Sequence, residues 1–446
     1  MIVLTVAFLG CSYQIYLFTK FYFEYPVFVN LQIKERNKVR FPAVTICNLN
    51  RMKSKYEKHH SFDGNQIESP LDITGVNSDQ MPLPLSEKSD INFRNKNESQ
   101  EHLKFLRKYY NLNSESRQKF GYQLEEVVKS CLFNFKPCEF KKNLNMRYGN
   151  CFTFNQLNGI FQEVPMASFA GPNNGLEMIL IIDPDQYLAI SHTVGMRIVI
   201  HDPSDEPNPE DKGIAIAPGY ETYISLKETL MQRLPAPYKD KCVFYGGDEN
   251  PLVESQAHCM QVCIQEYNFA RCGCVEPFFG TTLENKKCDT TNSIENDCLD
   301  SLMKDLAING STCKCPPPCL SKYYNERITR VLWPSKAYFL EMNRTENFEF
   351  AWDFYRKSHA RVRIIFSKLE RTEYEQNARF QESEIFSCLG GELALWLGIS
   401  FFVLCELIEV PLFLVSHFIC YLKESINLFN TKYALSSVVF QRNIWR

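Results

Sequence analysis

Two glutamates interrupt an otherwise apolar stretch near the C-terminal end of the chain. Residues 393–405 and 410–422 contain no Asp, Glu, Lys or Arg, and Glu406 and Glu409 lie between them. A carboxylate inside a membrane is costly and usually faces a water-filled path or a partner. Because the two glutamates are three residues apart, they share one face of a helix. We expect them to line a path that attracts cations; the alternative is that they only touch water at the membrane surface.

Small residues precede these acids, at Gly398-Ile399-Ser400. A straight helix over residues 389–422 would be about 50 Å long, whereas the hydrocarbon core of a bilayer is about 30 Å thick. The helix must therefore protrude, tilt strongly or break; a break is expected at Gly398 and Ser400, and Pro411 is a second candidate for one. Backbone carbonyls that are freed at such a break can replace the hydration shell of an ion; a notch for helix packing is the simpler alternative.

The middle of the chain is rich in cysteine. The chain has 18 cysteines, and this number indicates disulfides in an oxidising compartment. Three glycosylation sequons support the same compartment, and they begin at Asn97, Asn309 and Asn343. A zinc site is the alternative for the Cys-X-Cys pairs, and it is disfavoured because His258 is the only histidine nearby.

Cysteine spacing predicts part of the pairing. Cys259 and Cys263 share a helix face, and Cys313 and Cys315 share a strand face. An antiparallel helix and strand would then pair Cys259 with Cys315 and Cys263 with Cys313. Nesting a further pair outside these two predicts Cys242 with Cys319. The spacing leaves the pairing of Cys272, Cys274, Cys288 and Cys298 open.

The distribution of charge and apolar residues predicts how the chain is organised. Residues 1–19 carry no charge, which favours a first spanning helix over a signal peptide. We expect this helix over residues 1–29, with its cytoplasmic start missing from this sequence. An extracellular domain follows at 30–386 and includes a disulfide-laddered thumb at 242–319. A second, pore-lining span over 387–422 precedes a basic cytoplasmic tail at 423–446.

Composition excludes several functions. The 49 Lys and Arg residues nearly balance 52 Asp and Glu residues, so no basic surface for nucleic acid is expected. No P-loop, His-Glu-X-X-His, Gly-X-Ser-X-Gly or Gly-X-Gly-X-X-Gly motif is present in the sequence. We therefore predict that the protein is not an enzyme, and we expect neither a cofactor nor a metal site.

Five ordered motifs cover the chain from about Tyr22 to Glu409. They are Phe41-Pro42-Ala43-Val44-Thr45-Ile46-Cys47-Asn48; Tyr148-Gly149-Asn150-Cys151-Phe152-Thr153-Phe154-Asn155; residues 213–219 with Leu234-Pro235-Ala236-Pro237-Tyr238; Cys315-Pro316-Pro317-Pro318-Cys319 with Trp333-Pro334-Ser335; and Gly390-Gly391, Leu395-Trp396 and Gly398-Ile399-Ser400. In this order, the motifs resemble those of the degenerin, epithelial sodium channel and acid-sensing ion channel family of amiloride-sensitive sodium channels.

The resemblance implies an α+β membrane protein in which two transmembrane helices flank a disulfide-rich β-core ectodomain with a helical thumb. It also implies a full set of disulfides. Besides the three pairs above, it pairs Cys47 with Cys151, Cys131 with Cys138, Cys272 with Cys298, and Cys274 with Cys288. The family's His-Gly gating motif lies before the first span, upstream of the sequence given.

The resemblance also assigns candidate functional residues. It places a selectivity filter at Gly398, Ile399 and Ser400, and pore acids at Glu406 and Glu409. The pore mouth and gate fall on Ser387, Cys388, Gly391, Glu392 and Leu395, where Cys388 replaces an Asp of acid-sensing members and Glu392 replaces a Gln. A candidate acidic pocket comprises Asp205, Glu206 and Asp300, with a solvated acidic surface as the alternative. The resemblance assigns the coupling between the membrane and the thumb to Tyr25 and Tyr238. The alternative is that these two tyrosines only pack against each other.

These observations together predict the function. We expect a subunit of a trimeric, sodium-permeable, amiloride-sensitive cation channel that is gated by an extracellular stimulus. Its partners would be sodium ions, the lipid bilayer and other subunits of the same family, and nucleic acid is not expected. We expect the plasma membrane as its location, with both termini cytoplasmic. The alternative is a non-conducting, two-pass, disulfide-rich cell-surface receptor.

Overall fold

The computed structural model describes residues 2–57, 105, 108–157, 164–210, 212–246, 255–276, 286–288, 292–342, 348–398 and 400–442. The chain forms two compact units. The smaller unit comprises Met1–Phe28, Pro237–Lys239 and Asn377–Arg446, and the larger unit comprises Val29–Ala236 and Asp240–Gln376. Both ends of the chain thus belong to one unit, and the middle of the chain forms the other.

The smaller unit is built on three long helices. They are α1 (Ile2–Phe23), α8 (Glu382–Leu397) and α9 (Phe401–Arg442). Helix α1 ends where Glu24, Tyr25 and Pro26 follow, because proline is poorly accommodated within a helix. Tyr25 adopts a positive φ of 48°, which turns the chain out of the helix.

The larger unit is dominated by β-structure. The strands of the described residues are β1 (Val27–Glu35), β2 (Val39–Arg40), β3 (Ala43–Asn48), β4 (Val128–Phe133), β5 (Lys136–Pro137), β6 (Phe140–Asn145), β7 (Gly149–Phe154), β8 (Met166–Ala167), β9 (Gly175–Ile181), β10 (Met196–His201), β11 (Ile214–Ile216), β12 (Tyr220–Gln232), β13 (Leu320–Leu332) and β14 (His359–Ala378). Its helices are α2 (Ser114–Phe120), α3 (Leu124–Val127), α4 (Gln256–Cys272), α5 (Ser293–Asn309), α6 (Lys336–Met342) and α7 (Phe348–Ser358).

These strands form two main sheets. The larger sheet has the order β13-β12-β14-β9-β4-β5, and β1 also pairs with β14. The second sheet has the order β11-β10-β3-β7-β6, and β2 pairs with β8. In the larger sheet β12 runs parallel to β14 and antiparallel to β13.

The hydrophobic core draws side chains from both sheets. Residues of β9, and of β14 as far as Phe366, alternate between buried and partly exposed, as expected for strands with one face on a core. Every residue of β3 and β7 is buried, because these strands lie inside the second sheet. Phe41, Ile46, Met178, Ile224 and Phe366 belong to the same buried cluster. This shared cluster joins the two sheets into one unit.

The thumb is an insertion between two paired strands. Gln232 at the end of β12 is opposite Leu320 at the start of β13, so residues 233–319 leave and rejoin the sheet at one place. Helices α4 and α5 lie within this insertion. The Cys242–Cys319 disulfide closes its base.

Seven disulfides are formed, and their pairs are those expected from the sequence and the resemblance. They are Cys47–Cys151, Cys131–Cys138, Cys242–Cys319, Cys259–Cys315, Cys263–Cys313, Cys272–Cys298 and Cys274–Cys288. Five of them lie in the thumb, and two of these link α4 to the segment after α5. Cys11, Cys388, Cys405 and Cys420 remain as thiols.

The helices of the smaller unit depart from the predicted spans in their bounds. Helix α1 stops at Phe23, so the end of the predicted 1–29 segment is turn and strand. Helix α8 begins at Glu382 rather than 387, because Gln381 and Glu384 form a capping box. Helix α9 continues past 422 to Arg442, so the predicted tail is helical over most of its length.

Candidate functional site

The second apolar segment breaks at Gly398. The residue adopts the left-handed conformation, with φ 64° and ψ 16°, and its N–H donates to the carbonyls of Ala394 and Leu393. Glycine takes this conformation without steric cost and is the common residue where a helix ends. The predicted break at Gly398 is therefore present, and it ends α8.

Ser400 begins the next helix. Its Oγ accepts a hydrogen bond of 3.4 Å from the N–H of Val403, as a residue that caps a helix N-terminus does. The last carbonyls of a helix lack partners within that helix, so the end of α8 presents acceptors at this break. Ile399, the middle residue of the predicted filter, lies outside the described residues.

The two acids lie on α9, beyond the break. Glu406 and Glu409 are exposed in the single chain, within a stretch, Cys405–Lys423, that is long and apolar enough to cross a membrane. No salt bridge among the described residues involves either carboxylate. Within the described residues, these two adjacent negative charges on an apolar helix therefore have no ion-pair partner.

The predicted second break at Pro411 is wrong. Helix α9 runs through Pro411 without interruption. A proline inside a helix removes one backbone hydrogen bond and can kink the helix, but the remaining bonds still hold. In an apolar surrounding these bonds are especially favoured, because no water replaces them.

The predicted mouth residues all lie on α8, but on two different faces. Ser387, Gly391 and Leu395 are each four residues apart and are exposed. Cys388 and Glu392 are half-buried, and the Sγ of Cys11 on α1 lies 3.9 Å from the backbone oxygen of Glu392. The structure therefore divides the set into an exposed stripe and a pair of residues on the partly covered side.

Trp396 on α8 makes two interactions that the sequence did not predict, one with Glu392 on the same helix and one with Gly10 on α1. The Nε1 of Trp396 donates a hydrogen bond of 3.2 Å to Glu392 Oε2. The same indole packs so close to Gly10 that a Cβ there would lie 2.7 Å from Cζ3. Cys11 beside it is only 3% exposed. The spacing of four residues places Glu392 and Trp396 on one helix face, and this spacing could have predicted their hydrogen bond.

The predicted tyrosine pair is in contact. The rings of Tyr25 and Tyr238 have centroids 5.8 Å apart and planes at 78°, an edge-to-face arrangement. Tyr238 belongs to the three-residue segment Pro237–Lys239 that is part of the smaller unit. The contact follows the predicted pairing, and a role in coupling stays a prediction.

The candidate acidic residues occupy separate elements. Asp205 follows β10, and burial, followed by the charge of Asp202, raises the pKa of its carboxyl. The charges of Lys212 and Lys322 act in the opposite direction. Asp300 lies on α5. An acidic pocket that joins Asp205 and Glu206 to Asp300 stays a prediction.

An ion pair that the sequence did not reveal organises the surroundings of Asp205. Lys322 on β13 donates a hydrogen bond of 2.5 Å to Asp202. Burial alone would raise the pKa of Asp202, but the hydrogen bonds from Lys322 and Ser204 outweigh it and lower that pKa. Asp202 therefore stays charged beside Asp205.

One of the three sequons can be located. Asn309 is exposed at the C-terminal end of α5 and is accessible for glycosylation. Asn97 and Asn343 lie outside the described residues.

The two terminal helices define the class of protein. Ile2–Phe23 and Cys405–Lys423 are each long and apolar enough to span a bilayer. Between them the chain forms a disulfide-linked unit that is rich in β-strands. This arrangement defines a two-span membrane protein with a large disulfide-rich domain between its spans.

Residues 1–410 match the sequence profile described as amiloride-sensitive sodium channel. The chain belongs to this family of ion channels. It is 30% identical over 308 residues to degenerin mec-10 of Caenorhabditis elegans, with 67% of this chain and 42% of that protein aligned. The chain thus spans about two fifths of the length of the degenerins that it matches.

Two further relatives align over most of the chain. Acid-sensing ion channel 1 of Gallus gallus is 26% identical over 90% of this chain and 76% of its own length. The FMRFamide-activated amiloride-sensitive sodium channel of Cornu aspersum is 25% identical over the same shares. The solved structure of a proton-activated chloride channel aligns with 92% of this chain and with 96% of its own chain. The TM-score is 0.34 and the sequence identity is 5%, so this similarity supports no argument.

Proposed function

We propose that this chain is a subunit of a trimeric, sodium-permeable, amiloride-sensitive cation channel that is gated by an extracellular stimulus. Ion flow through it is passive. Sodium ions, the lipid bilayer and other subunits of the same family are its partners. The protein resides in the plasma membrane, with both termini in the cytoplasm and the disulfide-rich unit outside.

The observation that carries the proposal is the break at Gly398 followed by uncompensated acids. Gly398 ends α8 and Ser400 begins α9, so backbone carbonyls are available between two apolar helices. Glu406 and Glu409 then follow within about three turns of the break. Carbonyl oxygens and carboxylates are both ligands for hard cations such as sodium.

Oligomerisation would explain why Glu406 and Glu409 lie on an apolar helix, which a single chain does not explain. Three copies would place three Glu406 and three Glu409 carboxylates around one axis, where water can hydrate them. The exposed stripe of Ser387, Gly391 and Leu395 on α8 would face the same axis on the outer side of the break. A ring of negative charge concentrates cations and repels anions.

Current recording tests the proposal directly. The natural full-length protein is expressed in cells, and currents are measured with external sodium and with sodium replaced by a large organic cation. Glu406→Gln keeps the shape of the side chain but removes its charge, so we expect a lower sodium conductance at unchanged surface expression. Glu382→Gln removes an exposed acid in the first turn of α8 and serves as the control.

The same experiment separates the channel from the non-conducting receptor. A receptor would reach the surface without any sodium-dependent current, and neither substitution would change the cell's conductance. Unchanged current and unchanged sodium over potassium preference in both Glu406→Gln and Ser400→Leu would show that this segment does not line the pore.

The proposed orientation has its own test. Asn309 is exposed and should carry a glycan if the larger unit faces the outside. Glycosidase treatment should increase gel mobility, and Asn309→Gln should reduce the size of this shift. A C-terminal tag that is accessible to antibody on intact cells would contradict the cytoplasmic location of that end.

A further inference from the structure

A cavity in the larger unit has no part in the proposed ion path. Its volume is about 360 Å³, within the range of small-molecule sites in proteins. Its wall is formed by residues near β3, α3, β9 and the junction of α7 with β14. Aromatic and aliphatic side chains contribute much of the lining, among them Tyr122, Ile181 and Phe354.

The positive charge of Lys53 inside this cavity is already satisfied. Its ammonium donates a hydrogen bond of 2.6 Å to Glu126 Oε1. It also lies 5.6 Å from the ring centre of Tyr122 and 5.8 Å from that of Tyr56. Carboxylates and the faces of aromatic rings both stabilise a cation, so Lys53 and Glu126 act as a neutral pair.

The remaining acidic group in the wall is unpaired. Asp183 lines the cavity, and its carboxylate forms no hydrogen bond or ion pair within the described part of the chain. It does not cap the short 3-10 helix Pro184–Gln186 that follows it. Burial raises the pKa of the Tyr122 phenol, and the charge of Asp183 acts on this phenol in the same direction. Asp183 therefore presents a negative charge to the cavity.

Two neutral acceptors accompany Asp183. The Oε1 of Gln186 is buried without a hydrogen-bond partner in the described residues, which is a costly state. At His359, the ring Nδ1 lies 2.8 Å from the Oγ of Ser358. That hydroxyl donates its one hydrogen to the carbonyl of Phe354 at 2.8 Å, so Nδ1 must carry the ring proton. The Nε2 of His359 is then an acceptor.

The charge state of His359 agrees with this assignment. Burial lowers the pKa of the imidazole to about 4, and the charge of Lys129 acts in the same direction. His359 is therefore neutral near pH 7, and its ring stacks on Tyr355 with centroids 3.8 Å apart.

We propose that this cavity binds a small organic cation that carries N–H donors on an apolar body. Asp183 supplies the counter-charge, Gln186 Oε1 and His359 Nε2 accept hydrogen bonds, and the aromatic and aliphatic wall covers the apolar part. The Oε1 of Gln186 is buried in the free protein, so the amide turns toward the cavity when the ligand binds. Such a ligand then satisfies this acceptor, which an anion or a hydrocarbon would leave unpaired. The site is independent of whether the protein conducts ions.

Lys55 limits the orientation of such a ligand. It also lines the cavity, but it is exposed, and its ammonium lies 5.0 Å from the ring centre of Tyr56. A solvated cation at the rim repels another cation only weakly, because water screens it. The cationic head of the ligand would therefore lie on the side of Asp183 and away from Lys55.

Three probes of one shape test this assignment on the purified full-length protein. Benzylamine is a cation at neutral pH, benzyl alcohol is neutral, and benzoate is an anion. Binding is measured by calorimetry or by ligand-detected nuclear magnetic resonance at physiological salt. We expect saturable binding of benzylamine, at least tenfold weaker binding of benzyl alcohol, and none of benzoate.

Matched substitutions identify the residue responsible. Asp183→Asn should weaken benzylamine binding at least tenfold. Asp185→Asn removes an exposed charge two residues away that does not line the cavity, and it should leave binding unchanged. Gln186→Glu adds a charge at the unpaired acceptor and should strengthen binding, which keeps the proposal testable if Asp183→Asn does not fold.

Several results would overturn the proposal. Binding of benzoate in preference to benzylamine would make this an anion site. Equal weakening by Asp183→Asn and Asp185→Asn would show only general attraction by surface charge. No saturable binding of benzylamine to the wild-type protein, or no change with Gln186→Glu, would equally reject it.

Discussion

Gly10 on α1 and Trp396 on α8 are in contact at a distance that only glycine permits. A Cβ on residue 10 would lie 2.7 Å from Cζ3 of the indole and 2.8 Å from Cη2, closer than carbon atoms normally approach. The same indole donates a hydrogen bond to Glu392. Packing between the two helices therefore also holds the side chain of an acid at the predicted pore mouth.

Gly10→Ala should loosen this helix contact. Alanine favours a helix over glycine by about 1 kcal/mol. Overpacking costs about 1–3 kcal/mol, so the net effect should be a loss of about 1 kcal/mol. The measurement is the rate at which N-ethylmaleimide labels Cys11, which is 3% exposed beside Gly10. We expect faster labelling in Gly10→Ala than in the wild-type protein.

Two comparisons support or reject that interpretation. Ser12→Ala changes an exposed position of α1 and should leave the labelling of Cys11 unchanged. Adding Trp396→Leu to Gly10→Ala removes the clashing ring and should restore slower labelling. Identical labelling rates in the wild-type protein and Gly10→Ala would mean that the two helices are not packed in this way.

The disulfides between α4 and the segment after α5 should stabilise the thumb. Replacing Cys259 and Cys315 together by Ser should cost about 2–5 kcal/mol, the typical effect of losing a native disulfide in a small extracellular domain. Limited proteolysis and urea unfolding report this loss. Cys420→Ser, at an exposed free thiol, is the control. Peptide mapping that finds Cys259 linked to Cys263 would contradict the pairing.

Glu276 should make the larger unit less stable as the pH rises. Burial raises the pKa of its carboxyl from 4.5 to about 7, and its Oε2 is buried without a partner in the described residues. The folded state therefore binds this proton more tightly than the unfolded state. The stabilisation is complete below about pH 4.5 and is lost as the pH rises through about 7.

The pH dependence can be measured by urea unfolding between pH 5 and 8. The slope that Glu276 contributes should reach at most about 1.4 kcal/mol per pH unit. Glu276→Gln should remove this contribution, because the amide has no charge to bury. Glu266→Gln, at an exposed position of α4, should keep the wild-type slope. If Glu276→Gln leaves the slope unchanged, Glu276 does not titrate in this range.

Ser387→Phe should hold the proposed channel open. Ser387 is exposed on α8, so a large side chain is not taken up by packing within the described part of its own subunit and would instead separate the subunits around the axis. We expect a sodium current in the absence of any stimulus, measured in cells that express the full-length protein. Ser383→Phe, one turn earlier and also exposed, should give a much smaller effect. A silent Ser387→Phe channel at normal surface density would count against this gate.

The local periodicity of the sequence was sufficient to predict many elements. The alternation of Val362, Ile364 and Phe366 with polar or partly exposed positions is typical of a strand, and β14 contains them. The spacing of Cys259, Cys263, Cys313 and Cys315 predicted two disulfides that are present, although the segment that carries Cys313 and Cys315 is not the predicted strand. Such predictions succeed because periods of 2 and 3.6 follow from backbone geometry alone.

Helix ends were harder to predict, because several weak effects compete there. Gly398 ends α8 as expected, because its left-handed conformation is cheap only for glycine. Pro411 does not end α9, because the other backbone hydrogen bonds of a long apolar helix outweigh the one that is lost. Sequence alone does not state which of these two effects prevails.

The sequence by itself determined which residues are apolar, which cysteines share a face and where a helix can break. Only the tertiary structure decided that Gly10 meets Trp396, and that Asp183, Gln186 and His359 surround one cavity. The structure thus brings together residues more than 170 positions apart, such as Asp183 and His359 in the wall of one cavity, and no local period connects them. They depend on how whole helices and sheets pack, a sum of many small terms that no short segment of the chain contains.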